Sequence, residues 1–301
     1  MARVDLITGF LGSGKTTFIH KYANYLINNN EKIAIIVNDF GAVNVDRLLF
    51  SDLEINGVHI EQVACGKISC DWKRRFRTKL ITLSLYHFSH VIVEPSGIFN
   101  MDDFLDVMND DTIVNLFSIG SVIAISDMPK FHNKYEEYLF VNDISSAGII
   151  FISKLDKNNP NDVKECIYKS LDSFHTDKGY LNIPIIDYSW DEFDFSRLNS
   201  IGYNDLYHDR LSCDYNSIFN SFYILNSNIK KDELLKRIKF LFEDKSLGVI
   251  IRIKGFIFDD EWYEINATHD ETTISKRMNA QRAIIIIGTN LNEERIKELL
   301  S

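Results

Sequence analysis

One short run restricts the fold of this chain more than any other feature. Gly9-Phe10-Leu11-Gly12-Ser13-Gly14-Lys15-Thr16-Thr17 fits G-x-x-x-x-G-K-[ST]. It follows an apolar, β-rich run, Val4–Thr8, and opens a stretch of helical periodicity, Lys15–Ile27. A strand, a glycine-rich turn and a helix in direct succession belong to sheets with crossover helices. Glycines let the backbone close around a phosphate, with N–H groups at a helix N-terminus aimed inward. Gly12, Ser13, Gly14, Lys15, Thr16 and Thr17 are therefore the expected phosphate-binding residues. In such a loop the lysine reaches the β/γ oxygens and the first hydroxyl ligates Mg²⁺, roles that fall to Lys15 and Thr16.

The rest of the first half supports an α/β fold with a mostly parallel sheet covered by helices on both faces. Further strands are expected at Lys32–Val37, His90–Val93, Ser121–Ser126, Ile149–Ser153 and Ile183–Ile186. Helices are expected at Asp71–Tyr86 and Asn161–Phe174, the first with Trp72, Phe76, Leu80 and Leu83 on one face. From Asp191 to Tyr215 the chain is polar, acidic and aromatic without a clear period, which reads as a connector. A smaller α+β unit follows. Its expected strands are Ile218–Leu225, Val249–Ile253, Phe256–Phe258, Trp262–Ala267 and Ala283–Ile287, with a helix at Asp232–Phe242 and another after Asn292. That order, one strand, a helix, four strands and a final helix, suggests a sheet with helices on one side. The expected division is 1–190, connector 191–215, and 216–301.

Two further segments carry nucleotide chemistry. Val91-Ile92-Val93-Glu94-Pro95-Ser96-Gly97 is an apolar run ending in a carboxylate, with a glycine three residues later. Glu94 can hold the Mg²⁺ shell or position a water, and the Gly97 N–H can approach a γ-phosphate. Asn38-Asp39-Phe40-Gly41 also ends an apolar run. Asp39 either joins the Mg²⁺ shell or forms an ordinary Asn-Asp turn. Ser153-Lys154-Leu155-Asp156 fits [NST]-K-x-D, the pattern by which guanine-nucleotide proteins read their base. A carboxylate at Asp156 accepts from both N1–H and the 2-amino group of guanine, donors that adenine lacks on that edge. Two such charge-assisted bonds, at about 1.5–3 kcal/mol each, are enough for a large preference.

Together these segments resemble the CobW-like P-loop GTPases, relatives of the UreG and HypB nickel-insertion GTPases. Ala124-Ile125-Ser126-Asp127 also resembles a strand end of that family. The smaller unit resembles the CobW C-terminal domain through Gly248–Gly255, Trp262, Arg282 and Ile287-Gly288. The resemblance implies a GTPase in which Lys15, Thr16 and Glu94 do the catalytic work, with GTP/GDP and Mg²⁺ as ligands. It also implies a protein partner that is a metalloenzyme or carries a metallocofactor. The family's G-C-x-C-C motif falls on Gly66-Lys67-Ile68-Ser69-Cys70, where Lys67 and Ser69 replace two thiolates. Zinc or cobalt sites need three or four soft ligands, and only Cys70 remains, with Cys65 outside the motif. Tight zinc or cobalt binding is therefore not expected.

Cys70 reads either as an activated thiol beside Lys67, Lys73 and Arg74 or as a structural cysteine. The run Lys73–Lys79 is basic, and reads as a solvated helix face or a surface for an anionic partner. The alternatives to a GTPase are a P-loop small-molecule kinase and a GTP-binding adaptor with negligible turnover. No residue stands out as the general base.

Composition narrows the partners. A formal charge of −10 argues against non-specific nucleic-acid binding. Four cysteines form no disulfide framework, no apolar run is long enough to span a bilayer, and the N-terminus does not read as a secretory signal. The expected setting is the cytoplasm, with neither nucleic acid nor membrane as a partner. The sequence gives no oligomeric state.

Overall fold

The computed structural model describes residues 1–10, 12–39, 49–64, 70–95, 101–131, 133–209, 211, 220–269, 271–277 and 280–300, with backbone alone at Asp39, Ala64, Cys70, Asp71 and Asn220. They form two compact units, the larger built on a seven-stranded sheet and the smaller on a five-stranded one.

In the larger unit the strands are β1 (Ala2–Thr8), β2 (Ile33–Asp39), β3 (His59–Ala64), β4 (His90–Glu94), β5 (Phe117–Ser126), β6 (Ile149–Ile152) and β7 (Ile185–Ile186). Their order is β3-β2-β4-β1-β5-β6-β7, and β2–β4, β4–β1, β1–β5, β5–β6 and β6–β7 all pair parallel. Both faces of the central strands are buried, since every residue of β4 and β6 is inaccessible. This is why they read as continuous apolar runs and not as alternating ones. From β1 the chain lays β2 and β3 on one side, returns to place β4 between β2 and β1, and then continues on the other side through β5. That makes the C-terminal end of β1 the switch point, where open parallel sheets bind ligands.

The helices of this unit are α1 (Lys15–Asn28), α2 (Ser51–Ile55), α3 (Cys70–Ser84), α4 (Met101–Met108), α5 (Lys134–Ser145) and α6 (Pro160–Ser173). α1 buries Phe18, Ile19, Tyr22, Ala23 and Leu26, a single stripe at helical spacing. α3 buries Trp72, Phe76, Leu80 and Leu83, the face its periodicity predicts. α6 starts where Asn159 accepts from the Asn161 N–H and Pro160 occupies the first turn. α5 escaped the sequence reading because it is buried on nearly every side, from Tyr138 through Ser145. A helix without a polar face shows no amphipathic stripe. β3 and the two-turn α4 were also missed, being too short for a period to develop.

The stretch after Asp191, read as the start of a connector, packs on the larger unit at least to Asp209. Phe195 stacks on Tyr22 and Tyr25 of α1, and Phe193 sits edge-on to Phe151 of β6. At the opposite end of the sheet from the glycine-rich loop, Arg3 donates to the carbonyls of Leu198 and Asn199. The buried Asp5 carboxylate accepts from Arg3, from the Ser121 N–H and from the Tyr22 hydroxyl. Burial and the neighbouring Asp5 charge push the Tyr22 phenol well above its ordinary range, so it remains a donor.

The smaller unit has strands β8 (Asn220–Leu225), β9 (Val249–Asp259), β10 (Glu261–Thr268), β11 (Thr272–Arg277) and β12 (Ala283–Thr289), with α7 (Lys231–Glu243) and α8 (Glu293–Leu300). The sheet order is β11-β10-β9-β12-β8, with every neighbour pair antiparallel. Leu234, Ile238 and Leu241 of α7 and Ile296 and Leu300 of α8 share one core with Ile253, Ile257, Ile265, Ile284 and Ile286. The sequence broke β9 into two strands at Gly255, but it is continuous. A Cβ there would lie 2.1 Å from the Ala283 carbonyl oxygen, so the glycine serves close approach to β12 and not a chain break. β11 was missed; its residues are almost all exposed and carry no apolar signal.

Candidate functional site: a phosphate loop with a base-reading strand end

β1 leaves the sheet at Thr8 and turns through Gly9, Gly12 and Gly14, which have φ of 140°, 80° and 103°. These values lie in the region that side chains disfavour, which is why the turn carries glycine. A Cβ on Gly9 would lie 2.2 Å from the Ile125 carbonyl oxygen and 2.8 Å from Ser13 Oγ, so the loop folds tightly against the end of β5. The Ser13 N–H donates to the Phe10 carbonyl, and the Phe18 N–H to Gly14, which caps α1. α1 has no side-chain cap and no acid in its first turn. Its leading N–H groups and the positive end of its dipole are left for an anion.

Lys15 is buried, and its ammonium curls over the loop to donate to the Gly9 and Phe10 carbonyls at 2.7 and 3.2 Å. The parallel pairing of β1 with β4 sets the Glu94 carboxylate beside the start of α1. Thr16 Oγ1 donates to Glu94 Oε1 at 2.9 Å. A hydroxyl and a carboxylate in contact at a phosphate loop form the hard-oxygen donor pair that suits Mg²⁺, which keeps waters on its other positions. β2 lies next to β4 with Val37 opposite Glu94, so the backbone of Asp39 reaches the same edge. The side chain of Asp39 lies outside the described residues. The Asn38 carboxamide, oriented with its oxygen toward Trp72 Nε1 at 3.2 Å and its nitrogen toward the Val63 carbonyl at 3.0 Å, ties this strand end to β3 and α3.

The S-K-x-D segment arrives from the other side. The Ser153 N–H donates to the Ser126 carbonyl, aligning the ends of β5 and β6. Lys154 adopts a left-handed φ of 52° and its ammonium pairs with Asp127 Oδ2 at 2.8 Å. Strained non-glycine residues of this kind cluster at binding sites. Asp156 is exposed in the turn that follows. A Cβ on Gly14 would lie 3.7 Å from Ser153 Cβ and 3.6 Å from Trp190 Cη2, so loop, base segment and indole meet at one point. Trp190 donates from Nε1 to the Ile152 carbonyl at 2.9 Å and sits edge-on to Phe18. Its neighbour Asp191 pairs with Lys21 of α1. Sequence reasoning missed Trp190, and the only signal for it was an aromatic at the very end of the expected 1–190 domain, just before the stretch read as a connector.

Gly97, Cys65, Lys67 and Ser69 lie outside the described residues, as does the side chain of Cys70, the first residue of α3. The basic face of α3 is largely answered within the chain. Lys73 pairs with Asp103 and Asp106 of α4, both at 3.1 Å. Arg77 pairs with Asp110 at 3.0 Å, and Lys79 with Glu61 at 2.6 Å.

A glycine-rich loop at the switch point of a parallel sheet, with a lysine over it and a threonine–carboxylate pair beside it, defines a P-loop nucleotide-binding protein. Residues 3–181 match the family described as "CobW/HypB/UreG, nucleotide-binding domain", and the chain belongs to that family. It is 30% identical over 165 residues to the zinc chaperone YeiR of Escherichia coli, an alignment that covers 53% of this chain and 48% of that protein. It is 27% identical over 200 residues to zinc-regulated GTPase metalloprotein activator 1 of Dictyostelium discoideum, covering 54% of this chain and 41% of that one. The chain thus spans about half the length of the curated relatives it matches. Among solved structures, the zinc-bound YjiA GTPase from E. coli aligns over 99% of this chain and 97% of its own, at 18% identity and a TM-score of 0.43. Among the described residues, no helix is long and apolar enough to cross a membrane.

Proposed function

We propose that this chain is a GTP-binding and GTP-hydrolysing switch of the CobW type, whose nucleotide state is read by a metalloprotein or by a protein carrying a metallocofactor. One observation carries the nucleotide half of this reading. A Cβ on Gly14 of the phosphate loop would lie 3.7 Å from Ser153 Cβ, which supports reading the S-K-x-D turn, with Asp156, as the place for the base of a nucleotide whose phosphates sit on α1. The metal half is supported by family membership and by relatives named as zinc chaperones and as a zinc-regulated GTPase metalloprotein activator.

The chemistry is in-line attack of water on the γ-phosphate. Lys15 moves from the loop carbonyls to share its donors with the β/γ oxygens, and the α1 N–H groups face the same charge. Thr16 and Glu94 would hold Mg²⁺, which would supply positive charge against the charge that develops during transfer. On the sequence pattern, Asp39 would join the Mg²⁺ shell and the Gly97 N–H would approach the γ-phosphate. In this reading residues 1–190 hold the nucleotide chemistry and 216–301 form a second unit, and the setting is the cytoplasm. Zinc or cobalt is not the resident cofactor, because Lys67 repels a cation where a thiolate would bind it and Ser69 offers a neutral hydroxyl.

The test is displacement of a fluorescent GDP by unlabelled GTP, GDP and ATP, followed by phosphate release with Mg²⁺. GTP and GDP displace the probe at far lower concentration than ATP. Lys15→Ala lowers phosphate release by at least ~100-fold, the scale of losing one transition-state donor. Equal displacement by ATP and GTP removes the base-reading argument. Undiminished turnover in Lys15→Ala moves the active site elsewhere.

A further inference from the structure

One ionisable side chain outside the residues assigned to the nucleotide is sealed directly behind the phosphate loop. Asp143, on the inner helix α5, is buried and accepts a hydrogen bond from Thr8 Oγ1 at 2.6 Å and another from the Gly9 N–H. The carbonyl of the same Gly9 accepts from Lys15 Nζ at 2.7 Å. Gly9 is thus held at both ends, by Asp143 through its N–H and by Lys15 through its oxygen. Its φ of 140° and the contact with the Ile125 carbonyl leave it no other arrangement. The groups acting on Asp143 are Thr8 from β1, the Gly9 amide from the loop and the Lys15 ammonium from α1; among the described residues no other charge acts on it.

We propose that Asp143 is a positioning residue of the phosphate loop that takes up a proton from solvent when a nucleotide fills the loop and gives it back when the nucleotide leaves. This rests on the nucleotide reading above. Lys15 is the counter-charge of Asp143 in the free protein, and the phosphates of a nucleotide compensate that counter-charge. A buried carboxylate left facing new anions neutralises more readily than it stays charged. The proton adds to a carboxylate oxygen, and the Thr8 hydroxyl, which donates to the anion, turns to accept from the acid. Burial first, against the opposing pull of Thr8, Lys15 and Gly9, already raises Asp143 to about 7, so the change falls in the physiological range.

The sign follows from linkage. Nucleotide raises the affinity of Asp143 for a proton, so the protonated acid favours binding. That contribution is complete below the free-state value and is lost as pH rises through the bound-state value. A shift of one unit gives at most about a tenfold change in affinity and, near pH 7, uptake of about 0.4 proton. The experiment is calorimetric titration of the full chain with GDP and Mg²⁺ at pH 6, 7 and 8, in buffers of different ionisation enthalpy. Wild type takes up about 0.4 proton more than Asp143→Asn at pH 7, and its GDP affinity relative to that variant falls between pH 6 and 8. Thr8→Val removes a bond to the anion and moves the uptake to higher pH, which keeps the test open if Asp143→Asn does not fold. Equal uptake in wild type and Asp143→Asn, or an unmoved profile in Thr8→Val, overturns the assignment while leaving nucleotide binding intact. Absence of any binding heat overturns the nucleotide reading and this inference with it.

Discussion

Replacing Trp190 by phenylalanine separates its hydrogen bond from its packing. The ring of a phenylalanine retains much of the contact with Phe18 and Phe151, while the Nε1–H donor to the Ile152 carbonyl is lost. Ile152 is fully buried at the end of β6, so its carbonyl has no ready access to water. Leaving a buried acceptor unmet costs about 1–3 kcal/mol. Part of this is lost as stability and part as a loosened start to Ser153–Asp156. If about 1 kcal/mol falls on binding, GDP affinity weakens about fivefold. The indole lies 3.6 Å from where a Cβ on Gly14 would stand, close enough to the loop that filling it alters the emission. Trp190 is one of three tryptophans, which makes the signal assignable. GDP changes the protein fluorescence in wild type and in Trp262→Phe, and most of that change is lost in Trp190→Phe. The assay pairs this fluorescence titration with displacement of labelled GDP and urea unfolding. A Trp190→Phe protein of wild-type stability, affinity and fluorescence response would refute the claim that this indole ties β6 to the phosphate loop.

Asp156→Asn shifts nucleotide preference from guanosine toward xanthosine, because an amide donor then faces a carbonyl; competition between GDP and XDP for a labelled probe measures it, and unchanged guanine preference counts against Asp156. Gly9→Ala places a Cβ against the Ile125 carbonyl at a φ that alanine disfavours, and lowers stability by about 2–4 kcal/mol in urea unfolding, with weaker nucleotide binding. With Mg²⁺ and a non-hydrolysable GTP analogue, the chain does not hold zinc or cobalt one-to-one against a chromophoric chelator. Stoichiometric binding that resists the chelator and vanishes in Cys70→Ser would restore a cargo-metal site.

Lys73 and Arg77 show what local sequence leaves out of a surface. Five basic residues within Lys73–Lys79 looked like a solvated face or a docking strip. Hydrogen bonds that the Lys73 ammonium donates to Asp106 and Asp103 raise its pKa, and Arg77 reaches Asp110, while Arg74 and Arg75 are exposed. Acids distant in sequence supplied the partners, and helix periodicity carries no record of them.

What the sequence determined was everything set by short-range geometry and one-sided burial. The glycines of Gly9–Thr17 follow from backbone conformations that side chains resist. The stripes on α1, α3 and α7 follow from a core on one side of each helix. Long-range contacts were decided by the tertiary structure alone. The contact of Thr16 with Glu94 exists because β4 pairs with β1, and Trp190 lies beside the Gly14 turn and against Phe18 because residues after β7 fold back over α1. Asp143 sits under Gly9 because α5 is enclosed on nearly all sides, the same enclosure that erased its amphipathic signal. Sequence spacing encodes which residues share a face of one element. Which elements face each other is settled only when the whole sheet closes and buried polar groups must find partners.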